Sequence, residues 1–250
     1  MQTIVITGAT GGIGRALCLE YASSKSSHLI LLARREHELK ALVTECKALG
    51  AKTDYFAVDL QSTAQVLSLM SELDQKYQID LLISNAGVTS SSDNERIESW
   101  ESITQLLDVN LVGALAVAHP VLKGMQQRQS GHVAYVSSLA AYYGMSLTPA
   151  YSASKAGLKA YAEAMRVLLK PSSVNVTLIT PGFVETPMSD KFNGSKPFML
   201  TPQQAAKKIK HGLDRQAKVI TFPLVLSVGM RILSCLPASI ADRILALLRY

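Results

Sequence analysis

Cysteine is scarce in this sequence, and its three copies are far apart. They are Cys18, Cys46 and Cys235. An odd number at such spacing fits neither a disulfide framework nor the paired spacing of zinc ligands, so no metal site is expected. The first residues lead directly into strand-like sequence, without the pattern of a secretory signal. We therefore expect a reduced, cytoplasmic environment.

The sequence also lacks a hydrophobic run long enough to cross a membrane. The closest candidate, Val219 to Met230, is interrupted by Pro223 and followed by Arg231, whereas a spanning helix needs about 18 apolar residues. Internal repeats, low-complexity tracts and linkers are missing as well. Residues 1–250 are therefore expected to form one domain without an integral membrane segment.

Charged residues are few, at 18% of the chain, and hydrophobic residues make up 48%. This composition excludes a disordered or fibrous protein. Lys and Arg exceed Asp and Glu to give a net charge of +6, but the longest basic cluster is Lys207–Lys210. A solvated basic face is favoured over a nucleic-acid surface, and a bound anionic cofactor would use part of the charge.

Short apolar strands alternate with amphipathic helical segments, which indicates βαβ units. The predicted strands are Thr3–Thr7, Leu29–Ala33, Thr53–Val58, Leu81–Ser84, His132–Ser137, Val174–Thr180 and Val219–Phe222. The predicted helices are Ile13–Ser23, Glu36–Leu49, Ala64–Tyr77, Trp100–Gln127, Ala150–Leu169 and Pro202–Arg215, and the polar stretch Thr89–Asn94 is a predicted exposed loop. The expected fold is α/β: a doubly wound Rossmann domain whose seven-stranded parallel sheet has helices on both faces. Residues 222–250 would add a hydrophobic helical extension to the same domain.

A glycine-rich turn follows the first strand. Gly8, Gly12 and Gly14 lie in the segment Thr7–Gly14, directly before the first helix. Glycines at this point let the backbone approach a pyrophosphate, which sits at the positive end of the helix. The alternative is a tight connection without a ligand. The position between the first strand and the first helix favours the phosphate site.

An arginine pair ends the second strand. An acidic residue is expected about 20 residues after the glycine turn, where it would bind a free ribose 2′-hydroxyl. The chain has Arg34 and Arg35 instead, and guanidinium groups suit a 2′-phosphate. The alternative is that both arginines lie on a solvated loop. We favour the phosphate interpretation because the acid is missing at the position that matters.

Polar and small residues follow the third and fourth strands. Asp59 and Leu60 come after strand three, and Asn85, Ala86 and Gly87 come after strand four. Ligands of open α/β sheets gather at the carboxyl ends of the strands, so both groups are expected to line a cofactor groove. The alternative is that they serve only as turn residues.

Tyr151 and Lys155 stand four residues apart in a predicted helix, so they share one face. A phenol with a pKa of about 10 is a poor acid–base group at neutral pH, and a neighbouring ammonium favours its phenolate. Ser138, at the end of the fifth strand, is expected to direct its hydroxyl to the same point. The pattern indicates acid–base chemistry at Tyr151.

In this order and spacing the segments resemble the short-chain dehydrogenase/reductase family, from Thr3 to about Phe222. The matching motifs are Thr7–Gly14, Asp59-Leu60, Ser84–Gly87, Asn110, Ser138, Tyr151 to Lys155, and Pro181-Gly182 followed by Thr186. The resemblance implies an oxidoreductase that transfers a hydride between a nicotinamide cofactor and a carbonyl or secondary alcohol.

The resemblance also implies roles for individual residues. Tyr151 would be the general acid/base, Lys155 would lower its pKa and hold the nicotinamide ribose, Ser138 would orient the substrate oxygen, and Asn110 would support a water in the proton relay. The implied cofactor-binding residues are Gly8, Thr10, Gly11, Gly12, Ile13, Gly14, Arg34, Arg35, Asp59, Leu60, Asn85, Ala86, Gly87, Tyr151, Lys155, Pro181, Gly182, Val184 and Thr186. The expected substrate-binding residues are Ser138, Tyr143, Tyr151 and Phe183.

Three features depart from the family pattern. Ser84 stands where a second Asn is more common, and position 11 is glycine where many NADP-using members have a basic residue. The expectation of NADP(H) rather than NAD(H) therefore depends on Arg34 and Arg35. The third departure is the long C-terminal extension.

The extension carries an apolar helical stripe. The stripe consists of Ile240, Ile244, Leu247 and Leu248, with Asp242, Arg243 and Arg249 at other positions. It could pack over the substrate cleft, form a subunit interface or make a peripheral membrane contact; the favoured interpretation is that it covers the domain's own surface. A homodimer through Trp100–Gln127 and Ala150–Leu169 is expected in preference to a homotetramer.

The substrate is expected to lie among residues 139–147 and 183–199. Their large side chains are apolar or aromatic, namely Leu139, Tyr142, Tyr143, Met145, Phe183, Met188, Phe192, Phe198 and Met199. Such walls favour an apolar small molecule over a charged sugar, and the segment from Gly194 to Pro197 suggests a lid. Two rival functions are a catalytically silent cofactor-binding sensor and a membrane or nucleic-acid binder. The intact set of Asn110, Ser138, Tyr151 and Lys155 argues against the first, and the dispersed charge argues against the second.

Overall fold

Seven parallel strands form one sheet in the order β3-β2-β1-β4-β5-β6-β7. The computed structural model describes residues 1–24, 27–90 and 97–248. The strands are β1 (Gln2–Thr7), β2 (Ser27–Ala33), β3 (Lys52–Ala57), β4 (Leu81–Ser84), β5 (Gly131–Val136), β6 (Val174–Pro181) and β7 (Val219–Phe222). Neighbouring strands are parallel throughout. The expected α/β architecture and all seven predicted strands are confirmed.

The sheet order reverses next to β1, whose two neighbours are β2 and β4. At such a reversal the connecting helices leave in opposite directions, and a crevice opens beyond the carboxyl ends of the strands. The glycine turn after β1 and the residues that follow β4 both lie at this point. The topology therefore brings together the two motifs that the sequence presents 70 or more positions apart.

Apolar side chains bury the sheet on both faces. In β1 and β2, Ile4, Val5, Ile6 and Leu29 have no solvent exposure, and continuous apolar runs of this kind are typical of central parallel strands. One core lies between the sheet and α1 (Gly12–Ala22), α2 (Glu36–Ala48) and α8 (Pro202–Asp214). The other lies against α3 (Thr63–Tyr77), α5 (Ala114–Gln127) and α6 (Pro149–Leu168).

The predicted helix Trp100–Gln127 is two helices joined by a π-helical turn. It comprises α4 (Trp100–Leu107), the turn Asp108–Gly113, and α5. Its length and composition alone would allow a membrane span, but more than half of its apolar stretch is buried inside the protein, as in a core helix. The wide turn, which periodicity cannot reveal, contains Asn110; π-helical turns are frequent at functional sites.

The C-terminal extension forms α9 (Leu224–Cys235) and α10 (Ala238–Leu248), after the short helix α7 (Pro187–Asp190) and α8. Ala241 and Leu245 of α10 are buried, whereas Leu247 and Leu248 are 83% and 55% exposed. Of the four stripe residues, Ile244 packs against this buried pair, while Ile240, Leu247 and Leu248 are exposed. The inward face of α10 is therefore centred on Ala241 and Leu245, beside the predicted stripe. Arg249 and residues 91–94 of the predicted loop lie outside the described residues.

Candidate active site

One continuous cleft of about 1160 Å³ crosses the carboxyl ends of the strands. Its volume exceeds the roughly 300–1,000 Å³ of ordinary small-molecule sites, so it has room for a cofactor and a substrate together. Every residue expected to bind the cofactor lines this cleft. They are Gly8, Thr10, Gly11, Gly12, Ile13, Gly14, Arg34, Arg35, Asp59, Leu60, Asn85, Ala86, Gly87, Tyr151, Lys155, Pro181, Gly182, Val184 and Thr186.

Gly8 and Gly14 of the glycine turn leave no room for a side chain. Gly8 has a φ of +63°, a conformation that favours glycine. A Cβ at Gly14 would lie inside van der Waals contact with the carbonyl oxygen of Gly8 and 2.7 Å from Nδ2 of Asn85. Gly11, the residue before α1, has no side chain to accept from the first N–H groups, and the first turn carries no acidic residue. The turn and helix end therefore form a cradle that fits a pyrophosphate.

Thr7 and Asn85 join the ends of β1 and β4. The hydroxyl oxygen of Thr7 accepts from the backbone N–H groups of Asn85 and Ala86, each at 3.0 Å. Nδ2 of Asn85 donates to the carbonyl oxygen of Thr7 at 3.0 Å. These bonds fix the width of the crevice at the reversal of strand order. Thr7 also lines the cleft, a role that the sequence could not reveal because its partner is 78 positions away.

Arg34 and Arg35 lie at the end of β2, and both are exposed at one end of the cleft. Nε of Arg35 is 2.6 Å from a carboxylate oxygen of Glu38. Arg34 has no ion pair within the part of the chain that the structure describes. Asp59, across the groove, accepts from the backbone N–H of Gln61 at 3.1 Å, which is turn chemistry beside its place in the cleft wall. Arg34 is the guanidinium available to an anion here.

Two hydrogen bonds hold Lys155 at the end of β5. Its Nζ donates to the carbonyl oxygen of Val136 at 2.9 Å, and the Ser137 hydroxyl donates to the carbonyl oxygen of Lys155, also at 2.9 Å. Nζ lies 5.7 Å from the ring centre of Tyr151. Ser138, the next residue after Ser137, lines the same wall as Tyr151 and Lys155. The structure thus brings these three predicted residues together.

Burial shifts the pKa values of Lys155 and Tyr151. It lowers the pKa of Lys155 to about 8, because a buried ammonium loses its hydration. It raises the pKa of the Tyr151 phenol, and a hydrogen bond with Ser138 offsets part of that rise. The pKa of Tyr151 is therefore shifted in the direction opposite to the expected one, since the cost of burying a phenolate outweighs the hydrogen bond with Ser138.

Asn110 does not reach the cleft surface. It is fully buried in the π-helical turn, where its Oδ1 accepts from the N–H of Val88 at 2.7 Å and its Nδ2 donates to the carbonyl oxygen of Val88 at 2.9 Å. Nδ2 also donates to the Ser154 hydroxyl at 3.2 Å. Asn110 therefore holds the chain after Gly87 against α6 and acts as a positioning residue.

Phe183 lines the cleft, but Tyr143 does not. Phe183 packs on Phe192 with ring centres 5.2 Å apart. The Tyr143 hydroxyl instead donates to Asp242 of α10 at 2.9 Å, because the side chain points to the outer side of its turn and lines a separate shallow depression. Of the other predicted wall residues, those in the cleft are Leu139, Met145, Met188 and Phe192, and those outside it are Tyr142, Phe198 and Met199.

The C-terminal helices supply one wall of the cleft, which was one of the three interpretations of the extension. The cleft is lined there by Val225, Leu226, Gly229, Met230, Leu233, Ile244, Leu245 and Leu248. Their amphipathic spacing is visible in the sequence. Where the two helices pack on the domain depends on long-range contacts, which cannot be predicted from the amphipathic spacing alone.

Comparison with known proteins agrees with this geometry. A family model described as short chain dehydrogenase matches residues 2–196. An uncharacterized oxidoreductase of Myxococcus xanthus is 34% identical over 242 residues, 96% of this chain and 95% of that protein.

Two solved structures share the fold. A short-chain dehydrogenase from Sphingobium yanoikuyae in complex with NADPH has a TM-score of 0.83 and 24% identity, covering 90% of this chain and 89% of that one. A short chain dehydrogenase/reductase from Burkholderia phymatum in complex with NAD has a TM-score of 0.82 and 22% identity, covering 92% of each chain.

Proposed function

The chain belongs to the short-chain dehydrogenase/reductase family of oxidoreductases, and from this we propose that it transfers a hydride between NADP(H) and the carbonyl or secondary alcohol of an apolar small molecule. One observation carries the proposal. Ser138, Tyr151 and Lys155 share one wall of a cleft whose other end is the glycine cradle at Gly8 and Gly14. A cofactor bound along this cleft would have its reactive ring beside Tyr151.

The chain's own groups account for the proton chemistry. When bound, the nicotinamide supplies or accepts the hydride. Ser138 donates a hydrogen bond to the substrate oxygen and orients it. In the direction of reduction Tyr151 gives its proton to that oxygen, and in oxidation it takes the proton back. The ammonium of Lys155, held against Val136, stabilises the phenolate that forms.

The preference for NADP(H) rests on Arg34. A 2′-phosphate at the end of β2 would meet a guanidinium that is not already engaged in an ion pair with a described residue, and the residues directly after β2 are two arginines rather than an acid. Of the two solved neighbours, one is in complex with NADPH and the other with NAD. The electrostatics of this chain favour the phosphorylated form.

A catalytically silent sensor is the less favoured function. A protein that only binds the cofactor has no need for a buried lysine whose pKa is lowered to about 8 beside a tyrosine in the same cleft. Perturbed groups of this kind are typical of catalytic sites.

The test is a screen of ketones, aldehydes and secondary alcohols, read at the absorbance band of the reduced nicotinamide with NADPH and NADH. Tyr151→Phe is expected to lower kcat by about 10²–10⁴-fold while NADPH still quenches the protein fluorescence. Tyr161→Phe is the matched control, because Tyr161 lies on α6 but outside the cleft. Turnover in Tyr151→Phe close to that of Tyr161→Phe would reject the role of Tyr151.

A further inference from the structure

The two C-terminal helices are fastened to the turn that follows Ser138. On α9, Nη2 of Arg231 donates to the Tyr142 hydroxyl at 3.3 Å, and the guanidinium lies 5.3 Å from the Tyr142 ring centre. On α10, Asp242 accepts from the Tyr143 hydroxyl at 2.9 Å. The polar contacts are on the outside of the turn, so the apolar sides of both helices are directed to the cleft beside the catalytic group.

The cleft side of α9 is apolar over its whole length. Val225, Leu226, Gly229, Met230 and Leu233 line the cleft, and their spacing puts them on one helix face. This wall extends about 12 Å, given the rise of about 1.5 Å per residue, which is the length of an extended chain of about ten carbon atoms.

Most charged side chains of the cleft lie away from α9, at the end with the glycine turn and Arg34. Arg34, Arg35 and Asp59 line the cofactor end, and Lys155 belongs to the catalytic group. Within the described part of the cleft, Lys191 is the remaining charged residue, and it is exposed. An ionised substrate would find no counter-ion among the described residues of α9 and α10 that line the cleft, and burying it there would cost its hydration. The chemistry of this wall fits an uncharged hydrocarbon chain.

Gly229 differs from the glycines inside other described helices. At Gly124, Gly157 and Gly212 a Cβ would meet a neighbouring atom at 3.0 Å or less, so packing explains those glycines. At Gly229 a Cβ would meet nothing within 4 Å. A glycine in a helix interior lowers helix stability relative to alanine, and here no close neighbour requires it. What the missing side chain leaves is open space on the cleft side of α9.

We propose that the cleft face of α9 and α10 binds an aliphatic chain of the substrate, and that Gly229 determines how much chain the site accepts. The inference rests on the proposed oxidoreductase function. It specifies the substrate class as ketones or secondary alcohols that carry an uncharged chain of about ten carbons, with the reacting carbon held at Tyr151 and the chain lying along α9.

The test measures kcat/KM for straight-chain 2-ketones from butanone to dodecanone in the wild type, in Gly229→Leu and in Ser234→Leu. Ser234 is exposed on α9 and does not line the cleft, so it controls for a leucine added to the same helix. In the wild type and Ser234→Leu, kcat/KM is expected to rise about three- to fourfold per added methylene until the site is full. In Gly229→Leu the ratio of dodecanone to butanone kcat/KM is expected to fall at least tenfold, without a decrease in Tm.

A second readout does not depend on turnover. An apolar fluorescent dye is bound to the protein and displaced with 1-decanol or 1-butanol. 1-Decanol is expected to displace the dye from the wild type and Ser234→Leu at a concentration at least tenfold lower than from Gly229→Leu. Chain-length profiles and displacement that are the same in all three proteins would overturn it. Displacement by 1-decanol without reduction of any ketone would reject the proposed function and leave the chain site standing.

Discussion

The ammonium of Lys155 lies 5.7 Å from the ring centre of Tyr151 and donates its hydrogen bond away from the ring, to the carbonyl oxygen of Val136. Lys155 is almost fully buried, and burial lowers its pKa from 10.5 to about 8. At pH 7 the Lys155 ammonium is therefore charged although it is buried away from water. The proposed function and the stability of the fold therefore make opposite demands on this side chain.

Lys155→Met is expected to stabilise the protein at pH 7 while it abolishes turnover. Removing the buried charge stabilises the folded state by roughly 3 kcal/mol, at 1.36 kcal/mol per pKa unit. Loss of the hydrogen bond to Val136 offsets about 1 kcal/mol of this stabilisation. The free energy of unfolding should thus rise by about 2 kcal/mol. The folded pKa is below the unfolded one, so wild-type stability rises with pH between about 8 and 10.5, and the advantage of the variant shrinks there.

Urea unfolding at pH 7 and pH 9.5 measures this difference. Lys159→Met is the matched control, because Lys159 lies on the same helix and forms an i,i+4 pair with Glu163 at 3.0 Å. Such a pair contributes about 0.3–0.5 kcal/mol, so the control should be slightly less stable than the wild type. A Lys155→Met protein that unfolds more easily than the wild type at pH 7 would contradict the prediction.

Arg34→Ala is expected to weaken NADPH binding at least tenfold more than NADH binding. The 2′-phosphate would lose a charge-assisted hydrogen bond of about 1.5–3 kcal/mol, whereas NADH has no phosphate to lose. Arg35→Ala is the comparison variant, and it should give the smaller change because Arg35 is already paired with Glu38. Fluorescence titration with both cofactors measures the two ratios, and equal losses for NADPH and NADH in Arg34→Ala would reject the phosphate assignment.

Local motifs predicted which residues line the cleft at the glycine turn, and long-range packing determined the rest of the cleft. The glycine turn, Arg34 and the residues after β4 were predictable because each follows directly from the end of a strand. The loop 139–147 predicts Tyr143 as a pocket residue, but its side chain points outward and donates to Asp242 instead. Gly229 was not recognised because a helical glycine acquires meaning only from what surrounds it.

The fold itself was more predictable than the helix junctions. Apolar runs at β1, β2 and β5 are typical of buried parallel strands, so these strands were predictable from the sequence. The π-helical turn around Asn110 and the break between α9 and α10 depend on hydrogen bonds and packing with distant segments. Hydrophobic periodicity therefore predicts one continuous helix where α4 and α5 form, and a single stripe in the extension where α9 and α10 form.

Gly14→Ala is expected to destabilise the protein, and Gly11→Ala on the same turn is not. A Cβ at Gly14 collides with the backbone of Gly8 and the amide of Asn85, whereas one at Gly11 would meet only the Gly8 carbonyl oxygen at 3.3 Å. Overpacking of this kind costs about 1–3 kcal/mol. Thermal unfolding of both variants measures it, and similar Tm values would show that the turn can relax.

His132 is expected to make the protein sensitive to acid. Its ring is buried in β5, Nε2 lies 2.8 Å from the Thr177 hydroxyl, and burial lowers its pKa from 6.5 to about 4. Between these values the unfolded chain binds a proton that the folded chain does not. Neutral His132 therefore contributes its full stability above pH 6.5, and about 3 kcal/mol of the free energy of unfolding is lost as the pH falls to 4.

His132→Gln, which keeps a hydrogen-bonding side chain without a titrating ring, should lose about 3 kcal/mol less of its free energy of unfolding than the wild type between pH 7 and pH 4. Urea unfolding at both values measures this, with His211→Gln, on the exposed side of α8, as the control. An equal loss in His132→Gln and the wild type would mean that other groups, such as the carboxylates, cause the acid sensitivity.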